Sequence, residues 1–308
     1  MPAEEHSTKH IIQSLGVNLV IAVIKTGAAV LTRSGSMLAE AIHSFADCGN
    51  QLLLLVGVRA ARKPADASHP LGYGRSLYFW SFVVALMIFA GGGVFSVYEG
   101  LHKIRAPEPV ERVGLGLVIL GVSLLLEGSA ALSNMRDLKK GAPGKPFLRI
   151  LHDTKDSDLV VVFGENAAAV LGLLFAMIAL VMAWWTGDGR WDGGGSVVIG
   201  LVLIGVAAFL AIEVVSLLVG ESADPAIALD ARAIALRQPK VDSVLDLITV
   251  QQGPHEVLVA IKLSFSRDLD VDGLCDAINA YEAELRAAHP DVVWLFVEPD
   301  TPHDGSPS

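Results

Sequence analysis

Charge is scarce in this chain. Asp, Glu, Lys and Arg make up 18% of its 308 residues, against about 25% in an average soluble domain. The charge present leans acidic, with a formal net of −10 at pH 7. No basic face with interleaved aromatics is found, which excludes a nucleic-acid binder. The two cysteines, Cys48 and Cys275, fall in segments of different character, and neither belongs to a CxxC. A disulfide framework and a thiolate metal knuckle are therefore unsupported. No HExxH occurs. The glycine-rich stretch 187–195 reads as a turn, without the GxxxxGK[ST] pattern or βαβ context of a phosphate loop. The start, Met1-Pro2-Ala3-Glu4-Glu5-His6, is polar and acidic, unlike a signal peptide. The first apolar run is therefore expected to stay as a membrane anchor.

What the chain has instead is apolar length. Hydrophobic residues make up 52% and the mean hydropathy is +0.52. Six apolar runs, at about 11–31, 36–58, 77–101, 113–132, 159–185 and 197–219, each approach or exceed the roughly 20 residues of a spanning helix. Trp184 and Trp185 suit an interfacial belt. Gly91-Gly92-Gly93 in the third run suits either a close helix approach or a flexible point. Lys and Arg concentrate in the loops after spans two and four (in the latter Arg136, Lys139, Lys140, Lys145, Arg149 and Lys155). That asymmetry places both termini in the cytosol.

Polar groups inside these runs are few and patterned. In span two, Glu40, His43, Asp47 and Asn50 follow at i+3, i+4 and i+3, which aligns them on one helical stripe. Each intramembrane charge costs roughly 2.5–3.5 kcal/mol on insertion scales and marks a functional position by default. His and Asp at i, i+4 can hold one divalent ion through imidazole nitrogen and carboxylate oxygen, a donor pair suited to zinc and also to iron, cobalt or manganese. The alternative is a polar seam that only joins helices. Span one carries Asn18 and Lys25 on one face, with Lys25 either snorkelling or pairing with Glu40. Span four carries Glu127, and span five carries Glu165 and Asn166.

Beyond Glu221 the composition changes. A helical period over 225–236 and a strand over 243–250 precede the Gly253-Pro254 turn. A second strand over 256–265 alternates Val257, Val259, Ile261, Leu263 and Phe265 on one face. A helix over 271–288 and a strand over 291–297 follow. The order α-β-β-α-β predicts a small two-layer α+β domain. The expected domains are 1–220, spanning the membrane, 221–300, cytosolic, and a disordered tail over 301–308.

Several motifs together resemble the cation diffusion facilitator family of divalent-metal/proton antiporters. They are Ser34-Gly35-Ser36-Met37-Leu38-Ala39-Glu40-Ala41-Ile42-His43-Ser44 with Asp47, and His69-Pro70-Leu71-Gly72-Tyr73-Gly74-Arg75. Tyr98-Glu99-Gly100 and Leu217-Leu218-Val219-Gly220-Glu221 add to these. The resemblance covers nearly the whole chain. It implies an all-α six-helix transmembrane domain followed by a ferredoxin-like cytosolic domain that dimerises and regulates. It also implies a transport site with two ligands from span two, His43 and Asp47, and two from span five. In span five the second family ligand, usually Asp, is replaced by Asn166, so Glu165 is expected to supply the carboxylate and Asn166 a weaker carbonyl oxygen. A loop metal site in the family corresponds to Asp66 and His69, but a further histidine position holds Tyr73. His255, His289 and His303 do not form a close cluster in sequence and read as surface residues.

The implied protein is a homodimeric secondary transporter rather than an enzyme, multi-pass in the cell membrane, without a permanent cofactor. It would exchange a divalent ion, zinc first, for protons by alternating access. His43 would carry the proton, because imidazole titrates between pH 5 and 8. Two other classes remain open: a non-transporting metal sensor or scaffold that keeps the fold, and an intramembrane metallohydrolase.

Overall fold

The computed structural model of the protein describes residues 2–141 and 157–302. Lys145, Arg149, Lys155, His303 and all of the tail after Pro302 lie outside the described residues. The helices are α1 (Pro2–Thr32), α2 (Gly35–Ala61), α3 (Ser76–Arg105), α4 (Val113–Gly141), α5 (Ser157–Thr186) and α6 (Arg190–Val219). Among the described residues five of these, α2 to α6, are long and apolar enough to cross a membrane, and α1 adds the shorter apolar stretch Asn18–Thr32. Arg136, Lys139 and Lys140, expected in a loop, lie on the last turns of α4. The chain divides into two compact units. One holds α1, α2 to Arg59, α3 from Phe79, α4, α5 and α6 to Val215; the other holds the loop 60–78 and the chain from Ser216 onward.

Close approach between α3 and α6 depends on paired glycines. A Cβ at Gly200 would lie 2.7 Å from the Gly93 carbonyl, and one at Gly100 would lie 2.6 Å from the Gly193 carbonyl. The seven-residue spacing matches on both helices and runs antiparallel, so backbone meets backbone at two points two turns apart. The Gly91-Gly92-Gly93 run lies in a π-helical segment of α3, Ile88–Val94. Its wider turn sits where Gly92 and Gly93 face Leu203 and Ile204. The expectation of a turn over 187–195 needs correction: α6 begins at Arg190. Gly193 serves contact with α3 rather than chain reversal, and only Gly187 takes a positive φ, of 69°.

The second unit has the predicted order. Helix α7 (Pro225–Arg237), strands β1 (Val241–Gly253) and β2 (Glu256–Phe265), helix α8 (Val271–Ala288) and strand β3 (Val292–Pro299) form a sheet of order β1-β2-β3. β1 and β2 are an antiparallel hairpin that closes at His255, φ 57°, and β2 pairs with β3 in parallel. The alternation read from the sequence places Val257, Val259, Ile261 and Leu263 in the core. Against them pack Ile227, Ala231 and Ile234 of α7 and Tyr281 and Leu285 of α8. Asp224 caps α7 by accepting from the Ala226 N–H, with Pro225 at the first helical position, and Asp270 caps α8 through the Gly273 N–H.

The glycine contacts yield a paired test. Gly200→Ala forces α3 and α6 apart against backbone and should cost about 1–3 kcal/mol, roughly 3–10 °C in Tm. Gly205→Ala meets nothing within 4 Å and should be neutral or mildly stabilising. Thermal unfolding in detergent distinguishes the two.

Candidate metal centre

The site begins with the seating of α2. Four backbone N–H groups open any helix without intrahelical partners, and here each finds one. The Ser34 N–H donates to Thr32 Oγ1 at 3.4 Å and the Met37 N–H to Ser34 Oγ at 3.1 Å, while the Leu38 N–H begins the intrahelical ladder on the Ser34 carbonyl at 3.1 Å. The other two are answered from α6: Gly35 N–H donates to Asp192 Oδ2 at 2.6 Å and Ser36 N–H to Asp192 Oδ1 at 3.3 Å. Both serine hydroxyls, Ser34 and Ser36, also donate to Asp192 Oδ1. Asp192 is completely buried. Its charge faces the positive end of the α2 dipole and is balanced by Lys103 Nζ at 2.7 Å. Lys103, near the end of α3, also donates to the Arg33 carbonyl, and so ties α3 to the turn between α1 and α2.

From that anchor the polar stripe runs down α2. Glu40 Oε2 is 3.2 Å from Lys25 Nζ, which lies 2.8 Å from Glu127 Oε1 on α4. Of the two sequence readings for Lys25, pairing with Glu40 is the one seen, and Glu127 joins the pair. Glu40 also reaches the bare backbone of Gly172 on α5. Two to three turns further on, Asn50 Nδ2 donates to Glu165 Oε1 at 2.7 Å. The contacts Glu40–Gly172 and Asn50–Glu165 run in opposite directions along α2 and α5, so these helices are antiparallel.

His43 and Asp47 lie between those two contacts. His43 Nδ1 is 3.6 Å from Asp47 Oδ1, too long for a hydrogen bond. His43 is buried, and both its ring nitrogens lack a hydrogen-bond partner, as do Asp47 Oδ1 and Asn50 Oδ1. Buried polar atoms are nearly always partnered, and these four unpartnered ones gather on one stripe, donors of a kind that can coordinate a cation. Asp47 is within electrostatic reach of Glu165. Asn166 is half-buried beside it. Among the described residues, no three His, Cys, Asp or Glu side chains converge closely enough to share one ion. The stripe thus offers a His–Asp pair together with a third carboxylate engaged by Asn50. Asn18 stays half-buried on α1.

The loop residues are arranged differently. Asp66 Oδ1 accepts from the Ser68 and His69 N–H groups, both at 2.8 Å, and Asp66 Oδ2 accepts from the Tyr73 hydroxyl at 2.8 Å. The Tyr73 bond, followed by that from His69, holds the Asp66 carboxyl below its usual range, and the same bond raises the Tyr73 phenol. The His69 ring lies against the Tyr73 ring, centroids 4.1 Å apart. The histidines of the second unit pair with surface acids: His255 with Asp291 at 3.5 Å and His289 with Asp230 at 2.9 Å.

Asp192, Lys103 and Gly172 were missed from sequence. The available signal was an acid in the first turn of an apolar span, at Asp192, which reads as capping its own helix. That it caps another depends on tertiary structure.

The model of the cation efflux transmembrane domain matches residues 11–219. Metal tolerance protein C4 of Arabidopsis thaliana is 30% identical over 272 residues, which cover 88% of this chain and 58% of that protein. Proton-coupled zinc antiporter SLC30A9, mitochondrial, of Homo sapiens is 30% identical over 267 residues, 86% of this chain and 46% of its own length. Cation-efflux pump FieF of Shewanella oneidensis is 26% identical over 295 residues, 94% of either chain. The chain therefore spans about half the length of the first two relatives and nearly all of the third.

Asp192→Ala strands a buried ammonium and two helix N–H groups, and should cost about 3–5 kcal/mol, as removing one partner of a buried pair does. Asp192→Ala with Lys103→Met should recover part of that, because the unpaired charge is gone. Thermal unfolding of both variants, with hydrogen exchange at the first turn of α2, measures the effect. Equal stability of the parent and the single variant would contradict it.

Proposed function

The chain belongs to the cation efflux family, the cation diffusion facilitators, and on that premise we propose that it carries a divalent metal ion across a membrane in exchange for protons. The observation that carries this is the buried His43–Asp47 pair with its unpartnered nitrogen and oxygen atoms, between two contacts from α2 to α5. Glu165 completes the donor set after giving up the Asn50 amide, and Asn166 offers a carbonyl oxygen one residue on. One imidazole and two carboxylates suit zinc before harder ions, and the similarity to a proton-coupled zinc antiporter supports the same choice.

Coordination requires a neutral imidazole and ionised carboxylates, so protons and metal compete for the same lone pairs. Loading from the cytosol releases protons, and protonation on the far side weakens the hold on the ion. The helices bearing the cradle rock against the remainder, which exposes it to each side in turn. In this reading α1 is the sixth span, residues 1–220 are the transport domain, and 221–300 are a cytosolic dimerisation and regulatory domain. Both termini face the cytosol, and the membrane is the cell membrane. The Asn50–Glu165 bond and the amide at position 166 favour one second reading, a metal sensor that binds but does not transport.

Proteoliposomes loaded with a zinc-sensitive dye, under an imposed pH gradient, distinguish the two. Structural zinc binding of about 10–16 kcal/mol over four ligands puts roughly 3 kcal/mol on each, so His43→Ala and Asp47→Ala should each lose about 100-fold in zinc affinity and with it most flux. Glu165→Gln should lose more than Asn166→Ala, and Asn166→Asp should bind zinc more tightly. Parent protein that binds zinc but passes none at any pH gradient would leave the sensor reading.

A further inference from the structure

We propose that Lys25 is a tethered counter-cation: its ammonium fills a second cation position, built by Glu40 and Glu127, and so confines the mobile divalent ion to the His43–Asp47–Glu165 cradle. The proposal deepens the metal-transport reading above and rests on it.

Three helices meet at this ammonium. Lys25 of α1 is completely buried, with Glu40 of α2 at 3.2 Å and Glu127 of α4 at 2.8 Å. Each carboxylate gives the ammonium one oxygen. Their other oxygens, Glu40 Oε1 and Glu127 Oε2, are buried with no hydrogen-bond partner. Two carboxylates aimed at one point, with spare lone pairs and a net charge of −1 once Lys25 is counted, form the oxygen shell of a cation site. The ammonium stands where the cation would. A divalent ion at that point would draw the oxygens to about 2.0–2.6 Å.

A mobile ion there would be harmful. Glu40 lies one turn from His43 on the same stripe of α2, so a second divalent ion would repel cargo in the cradle. It would also be released less readily near neutral pH, because carboxylates take up protons at lower pH than an imidazole does. A lysine supplies the positive charge without being able to leave. The donor chemistry adds specificity: the Glu40–Glu127 pair suits hard ions such as manganese or magnesium, whereas the cradle contains an imidazole. Lys25 therefore blocks the hard-ion position and leaves the nitrogen-containing one in use.

The test counts metal. Purified dimer in detergent is dialysed against Mn2+ or Zn2+, and bound ions per protomer are measured for the parent, Lys25→Arg, Lys25→Met, Lys25→Gln and the triple variant Lys25→Met/Glu40→Gln/Glu127→Gln. Lys25→Met and Lys25→Gln should each bind one ion more than the parent, with Mn2+ favoured at the added site. Lys25→Arg and the triple variant should match the parent. Thermal stability of Lys25→Met should rise with Mn2+ concentration where that of the parent does not, because binding to the folded state alone stabilises it.

Parent stoichiometry in both neutral variants would overturn the proposal. So would failure of both to fold with Mn2+ present throughout purification, since the ion should replace the lost charge. A parent that binds no ion would defeat the transport reading alone. The added ion in Lys25→Met, and its loss in the triple variant, would still decide the role of Lys25.

Discussion

The Asp192 carboxylate at the first turn of α2 is the contact on which the arrangement of the helical unit depends. A helix in a bilayer has no water to satisfy its opening N–H groups, so they must be met from within the protein. The entry to α2 meets them with one side chain from α6 and the cap of Ser34. That fixes where α2 begins, which way it faces and how deep its polar stripe sits. Lys103 makes the arrangement affordable electrostatically, because a buried carboxylate with only a dipole for company would be far more expensive.

Two further contacts locate the same helix along its length. Glu40 meets Lys25 and the Gly172 backbone, and Asn50 meets Glu165. From Ser34 to Asn50 is sixteen residues, roughly 24 Å of helix at 1.5 Å per residue. His43 and Asp47 lie between the last two contacts and take part in neither. Each of their neighbours in those contacts is engaged through one of its polar atoms, whereas both ring nitrogens of His43 and Asp47 Oδ1 are left without a hydrogen-bond partner. The same α6 that supplies Asp192 lies backbone to backbone on α3 through Gly193 and Gly200, so the helix that seats α2 is itself held closely.

Much of this was legible in the sequence where the cause is local. The period-two alternation of β2 and the i+3, i+4, i+3 stripe of α2 are one-dimensional patterns, and these two elements begin and end within a few residues of where the patterns put them, whereas α1, α4 and α6 run past the expected apolar runs by seven to nine residues. The pairing of Lys25 with Glu40 was one of two open readings, because both lie near the same loop. Glu127 joins them from 102 residues away, and no local pattern reports that. The glycines of 193–195 misled for a physical reason: lack of a side chain permits both a turn and a close helix contact, and sequence alone does not say which is used. Asp192 was hidden in the same way, since an acid near a helix start suits its own helix as well as another.

The central claim is that His43 and Asp47, joined by Glu165 once it gives up the Asn50 amide, hold the transported ion. X-ray absorption at the zinc edge of the purified, zinc-loaded protein tests it most directly, with His43→Ala alongside. The account predicts a first shell of nitrogen and oxygen at about 2.0–2.1 Å with one intramembrane imidazole that disappears in His43→Ala. A sulfur neighbour at about 2.3 Å, which buried Cys48 could supply, or an imidazole signal unchanged in His43→Ala, would contradict it.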